Sequence, residues 1–188
     1  MTAPRRSSRA RPSEAEIVGA VADHLRGLGY RVRVNLDGID YFDLVAWRGN
    51  EVGLVEAKVS DARAVLGQAL KRRAWADWCA VALAGARSAQ RLADRTARGR
   101  AAPVGVWFVE DGRVEVVREA RPWVADGQED PFADLKARFR AILEALETGD
   151  LPAGLPWDGV VREVRRASGG RGFAEWRLDE PPSDAPPP

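Results

Sequence analysis

The sequence is poor in the residues that most often carry chemistry. It holds one cysteine, Cys79, and one histidine, His24, among 188 residues. A lone cysteine excludes a disulfide framework and any Cys-based zinc cage. A lone histidine excludes a multi-His metal centre and leaves Ser-His-Asp chemistry hanging on one position. No apolar run approaches the roughly 20 residues that a membrane-spanning helix needs. The N-terminus is rich in arginine with no apolar stretch behind it, so no membrane association is expected and the cytoplasm is the expected compartment. An excess of one charge is missing too: 29 Lys+Arg against 28 Asp+Glu leave a net charge of +1. Steering of a polyanion by the whole molecule is then weak, and contacts with nucleic acid must come from local patches. Lysine itself is scarce. Only Lys58, Lys71 and Lys136 occur, against 26 arginines.

What is present suffices for a core: 45% of the residues are hydrophobic and 30% charged, which excludes wholesale disorder. Residues 1–12 read as a flexible basic arm and residues 180–188 as a Pro-rich disordered tail. Ser13, with Glu16 three positions on, opens a helix in the capping-box pattern, and Val18, Val21, Leu25 and Leu28 form its apolar stripe before Gly29 stops it. A strand is expected over Tyr30–Val34. Two apolar runs, Tyr41–Trp47 and Val52–Val59, flank Gly49-Asn50 as a hairpin. A helix capped by Ser60 should run from Asp61 to about Ala76, followed by a buried strand at Trp78–Ala84 and a charged helix over Arg87–Arg98. Asp111-Gly112 marks a second hairpin between Val104–Val109 and Val114–Val117. These elements predict an α/β fold, a mixed sheet flanked by helices, over residues 13–121. Residues 122–179 read as an appendage, with an amphipathic helix over Pro131–Glu147 and a strand near Phe173–Leu178.

The informative residues lie between Asp40 and Gln68. With a two-residue turn at Gly49-Asn50, paired positions sum to 99, and Asp43 stands opposite Glu56 with both side chains on one face. Lys58, two residues on, points the same way. Carboxylates facing each other across apolar strands repel unless something compensates. A half-exposed cross-strand ion cluster is the plain structural explanation. The chemical one is a hard divalent cation, because two carboxylates, a backbone carbonyl and water suit Mg²⁺. A lysine beside such a site can orient the attacking water and balance charge developing on a phosphoryl group. Arginine does not replace it there.

Asp43, then Glu56-Ala57-Lys58, then Gln68 on the following helix resembles the PD-(D/E)XK nuclease superfamily. The flanking "DLVAW" and "GLVEAK", and a first helix ending in Leu28-Gly29-Tyr30, resemble it as well. The likeness spans about Ser13–Val117 and implies a restriction-endonuclease-like core. It implies Mg²⁺, replaceable by Mn²⁺, on Asp43, Glu56 and the Ala57 carbonyl, with Lys58 assisting a Mg-bound water and Gln68 supporting the site. In that family the first helix often adds a glutamate, and Glu14 shares the stripe of Val18, Val21 and Leu25 whereas Glu16 serves the cap. Asp40 is a rival for the first acid. The expected activity is metal-dependent hydrolysis of phosphodiester bonds in DNA, as an endonuclease. The alternative is a nucleic-acid- or partner-binding module on the same fold with weak or lost catalysis.

For nucleic-acid contact the candidates are Arg72 and Arg73, beside Lys71, and the row Arg87, Arg91, Arg95 and Arg98 at helical spacing. A charged helix face is otherwise simply solvated. Trp75 and Trp78 are candidates for base stacking, with core packing as the alternative. Cys79 reads as packing and His24 as a helix-surface residue. A second copy of the chain is a candidate partner.

Overall fold

Capping residues, turn glycines and apolar alternation divide the described residues into four α-helices, six strands and two 3₁₀ turns. A computed structural model describes residues 11–34, 42–124 and 128–148. Asp40, most of the basic arm, the strand expected near Phe173 and the acidic tail lie outside them. Helix α1 (Glu14–Gly27) begins at Ser13 with the full capping box, and Gly29 at φ +82° ends it. Strand β1 (Arg31–Val34) leads to β2 (Leu44–Arg48) and β3 (Glu51–Lys58). Helix α2 (Ala62–Arg72) precedes β4 (Trp78–Leu83), and α3 (Ala86–Arg95) precedes the hairpin β5 (Gly105–Glu110) and β6 (Arg113–Arg118). Helix α4 (Ala133–Thr148) follows.

The six strands form one mixed sheet in chain order, parallel at β3–β4 and β4–β5 and antiparallel elsewhere. An α/β fold is thus the observed class. Two parallel connections require crossovers, and α2 and α3 supply them on one face of the sheet. Alternate strand residues sort into two cores. Val45, Trp47, Val52, Leu54, Val81 and Leu83 meet α2, α3 and α4. Leu44, Ala46, Val55, Ala57, Ala80 and Ala82 meet α1.

Three expectations need correction. The cap of α2 is Asp61, whose Oδ1 accepts from the Ala64 N–H at 2.8 Å, rather than Ser60. The same helix stops at Arg72 and tightens into a 3₁₀ turn over Arg73–Trp75. Helix α3 ends at Arg95, so Arg98 leaves the row, and a 3₁₀ turn at Gly99–Ala101 follows. The apolar stripe of α4 enters the α2-side core: Phe139 packs on Trp75 and Phe42, with ring centroids 5.6 and 5.8 Å apart. Buried Lys136 fastens that helix by pairing with Asp130 at 2.7 Å and Asp77 at 3.6 Å. Asp77 in turn accepts from the Val52 N–H of β3 at 2.8 Å.

Candidate metal and phosphodiester site

The hairpin register delivers the acids. Gly49 has φ +55° while Asn50 stays at negative φ, the pattern of a II′ turn. Arg48 then pairs with Glu51 and Leu44 with Val55, a constant sum of 99. One step beyond Leu44, Asp43 stands level with Glu56. Asp43 also continues the alternation of Val45 and Trp47, and Glu56 that of Val52 and Leu54, so both fall on the α2 face.

Asp43 is held by the strand it faces. Its Oδ2 accepts from the Ala57 N–H at 2.7 Å, closing the ladder where β2 begins. Burial raises its carboxyl above the usual aspartate range, and nearby Glu14 adds to this. The Ala57 N–H, Lys58 and Arg72 pull the other way.

Glu56 is 1% exposed. Its carboxylate is ion-paired with the guanidinium of Arg72, from the last turn of α2. Arg72 lies with its guanidinium carbon 5.2 Å from the centroid of the Phe42 ring, a cation–π arrangement. Apart from that ion pair, neither carboxylate oxygen of Glu56 has a hydrogen-bond partner among the described residues. Gln68, one turn before Arg72 on the same helix face, presents a buried Oε1 that also lacks one. Lys58 ends β3, and its Nζ donates to Glu14 Oε1 at 2.7 Å, joining the first turn of α1 to the site across the end of the sheet. That hydrogen bond is the main cause of a raised lysine pKa, so Lys58 is firmly cationic.

Glu14, Asp43, Glu56, Lys58 and Arg72 therefore gather at the end of β3, with Gln68 one turn before Arg72 on α2. Among the oxygens of Asp43, Glu56 and Gln68, two buried atoms, Glu56 Oε2 and Gln68 Oε1, have no donor among the described residues. This all-oxygen set fits Mg²⁺ or Mn²⁺, which take oxygen ligands and retain water. Among the described residues no group of three or more His, Cys, Asp or Glu is gathered as a metal centre. Two carboxylates with a carbonyl and water would be a different kind of set.

The remaining candidates are distributed differently. Arg87, Arg91 and Arg95 are exposed on α3, and Arg73 is half-buried in the 3₁₀ turn. Trp75 and Trp78 are core residues, 4% and 6% exposed, and closed to a nucleobase. His24 packs edge-on against Trp107, with ring centroids 5.9 Å apart. The inward role of Arg72 is not among the sequence expectations, although a signal for it exists. Arg72 continues the stripe of Val65 and Ala69 at helical spacing, and all three are buried.

Comparison of the chain with protein-family models, with curated proteins and with solved structures finds no match. The class that the fold defines is an α/β protein with a six-stranded mixed sheet and an ionic cluster at the end of its third strand. No helix among the described residues is long and apolar enough to cross a membrane.

Proposed function

We propose that the chain is a divalent-cation-dependent phosphodiesterase that hydrolyses DNA. The observation that carries this is the buried Glu56 carboxylate, level with Asp43, whose Oε1 meets the Arg72 guanidinium while its Oε2 has no donor among the described residues. Asp43, Glu56 and the Ala57 carbonyl would hold Mg²⁺ or Mn²⁺, with Glu14 alongside. When bound, the cation supplies a Lewis acid that acidifies water and polarises the phosphoryl oxygen. Lys58 places a compact positive charge where the phosphoryl oxygens gain charge. Arg72 and Phe42 fix the carboxylate of Glu56, and Gln68 offers its amide to the phosphate or to ordered water. Hydrolysis adds water across one P–O bond and leaves a phosphomonoester and a free hydroxyl.

The test is incubation of closed-circular DNA with the protein, with and without Mg²⁺ or Mn²⁺. Nicking or linearisation that needs the cation is expected, with losses of at least about 100-fold in Asp43→Asn and Glu56→Gln. Undiminished cleavage by either folded variant would overturn the assignment.

One observation favours a second reading, a DNA- or partner-binding module with lost catalysis. Glu56 already has Arg72, and Glu14 already has Lys58, so these two carboxylates are compensated without a cation. Calorimetric titration with Mn²⁺ separates the two readings. Heat that disappears in Glu56→Gln supports the enzyme, whereas DNA binding with no cation heat supports the module.

A further inference from the structure

Helices α2 and α3 lie side by side on one face of the sheet, and a cavity of about 260 Å³ opens between them. Three arginines line it: Arg63 from the first turn of α2, and Arg91 and Arg95 from α3. All three are exposed, and among the described residues none has an ion-pair partner. Elsewhere the arginines are commonly engaged. Arg26 pairs with Asp23, Arg48 with Glu51 and Arg72 with Glu56, while Arg118 donates to several backbone carbonyls. Leu66 and Leu92 form an apolar floor between the charges, and Ser88 adds a hydroxyl from the first turn of α3.

From this arrangement we infer that the α2–α3 groove seats the phosphodiester backbone of a nucleic-acid strand, through Arg63, Arg91 and Arg95. The choice of polyanion rests on the phosphodiesterase reading. Three independent features favour it over other anions. First, Arg91 and Arg95 are one helical turn apart, about 6 Å along the axis, and about two phosphates of one strand fall within that length. A single phosphate group calls instead for guanidinium groups converging on one point. Second, the groove is concave and has Arg63 on its opposite wall, so a strand is gripped from two sides. A membrane surface is flat and is bound by exposed apolar side chains. Among the described residues the exposed large hydrophobics, Leu28, Val34 and Val116, lie elsewhere in the fold. Third, Arg63 stands in the first turn of α2, five residues after Lys58, so one end of the groove lies close in the chain to the end of β3.

The test is fluorescence anisotropy of a labelled duplex and a labelled single strand with the full chain, in EDTA, over a series of salt concentrations. The probe is binding alone, so the result does not depend on cation chemistry or on cleavage. Replacing Arg63, Arg91 and Arg95 together by glutamine should lower the slope of log affinity against log salt. The expected drop is about 3 on duplex, or about 2 on a single strand. A control replaces Arg26, Arg113 and Arg121, which removes the same charge from other surfaces and should leave the slope in place. Equal slopes for the two triple variants, or no binding of either DNA by the wild type, would overturn the inference. So would loss of binding to phosphatidylserine-rich vesicles in the groove variant with its DNA slope intact. Failure of the phosphodiesterase reading looks different, because it appears in cleavage by Asp43 and Glu56 variants and leaves these slopes untouched.

Discussion

Strands β3 and β4 lie side by side and parallel in the middle of the sheet, and they part company at their C-terminal ends. Glu56 is level with Val81 and Lys58 with Leu83, while Ala57 and Ala82 between them are alike. The fold accepts a wholly apolar strand at this depth, since every residue of β4 is buried and apolar. The charges in β3 are thus no requirement of the architecture. They need partners that β4 does without: Arg72 and Phe42 for Glu56, and Glu14 for Lys58. A fold that spends an ion pair in its interior gains little stability by it. That imbalance is the physical reason to read the end of β3 as a site.

The largest effect should come from making β3 more like β4 one step at a time. Arg72→Met leaves the Glu56 carboxylate alone among apolar neighbours and should destabilise the protein by about 3–5 kcal/mol in urea denaturation. Adding Glu56→Leu completes the imitation and should restore stability to the wild-type level, or exceed it by about 1–4 kcal/mol. A single Arg72→Met variant as stable as wild type would mean that the ion pair holds nothing. The contrast at the next position concerns charge placement. Lys58→Arg keeps the positive charge but replaces a compact ammonium by a longer planar group. Turnover on closed-circular DNA should fall about 100-fold, as a misplacement of about 1 Å allows, with Mn²⁺ binding retained in calorimetry. Near-wild-type cutting by this variant would reduce Lys58 to the partner of Glu14.

The strands also differ where they pack most closely. Gly53 of β3 is level with Trp78 of β4, and a Cβ at Gly53 would clash with the indole ring of Trp78. Gly53→Ala should therefore cost about 1–3 kcal/mol through overpacking, and much less in a Trp78→Leu background. Equal costs in both backgrounds would show that the ring is not the obstacle. The smallest effect belongs to β4 itself. Burial pushes the Cys79 thiol up to about 12, so the native protein should not react with a thiol reagent near neutral pH. Labelling should appear only under unfolding conditions, and prompt labelling of the native state would show that β4 is less closed than β3's partner strand must be.

How much of this was legible beforehand depended on how local the determinant is. The register of Asp43 against Glu56 follows from a two-residue turn and period-two alternation, both written within 14 residues. The cap of α2 was a choice between two adjacent good capping residues, Ser60 and Asp61, which composition alone does not decide. Arg72 was harder. An arginine at a helix end reads as solvated, and only Glu56, 16 positions back, and Phe42, 30 back, make an interior place for it. Helix α4 was visible as a stripe of Leu135, Phe139 and Leu143, but a stripe does not say which surface will cover it. The sequence does not mark Arg63 as a partner of the α3 row for the same reason, because two helices form a groove only after both have docked.

The docking of α4 bears on when the site becomes complete. Phe42, next to Asp43 in the chain, rests on Phe139, and the same phenylalanine supports the guanidinium of Arg72. A ribosome delivers Lys58, the last of Asp43, Glu56 and Lys58, some eighty residues before it delivers Phe139. Once Arg118 has followed, all six strands are present, while the aromatic support behind the acids is bare on one side until Phe139 arrives. The acids are then present without the backing that fixes them. Completion of the ionic cluster is in this sense a late event of biosynthesis, timed by a helix that contributes no charge to it.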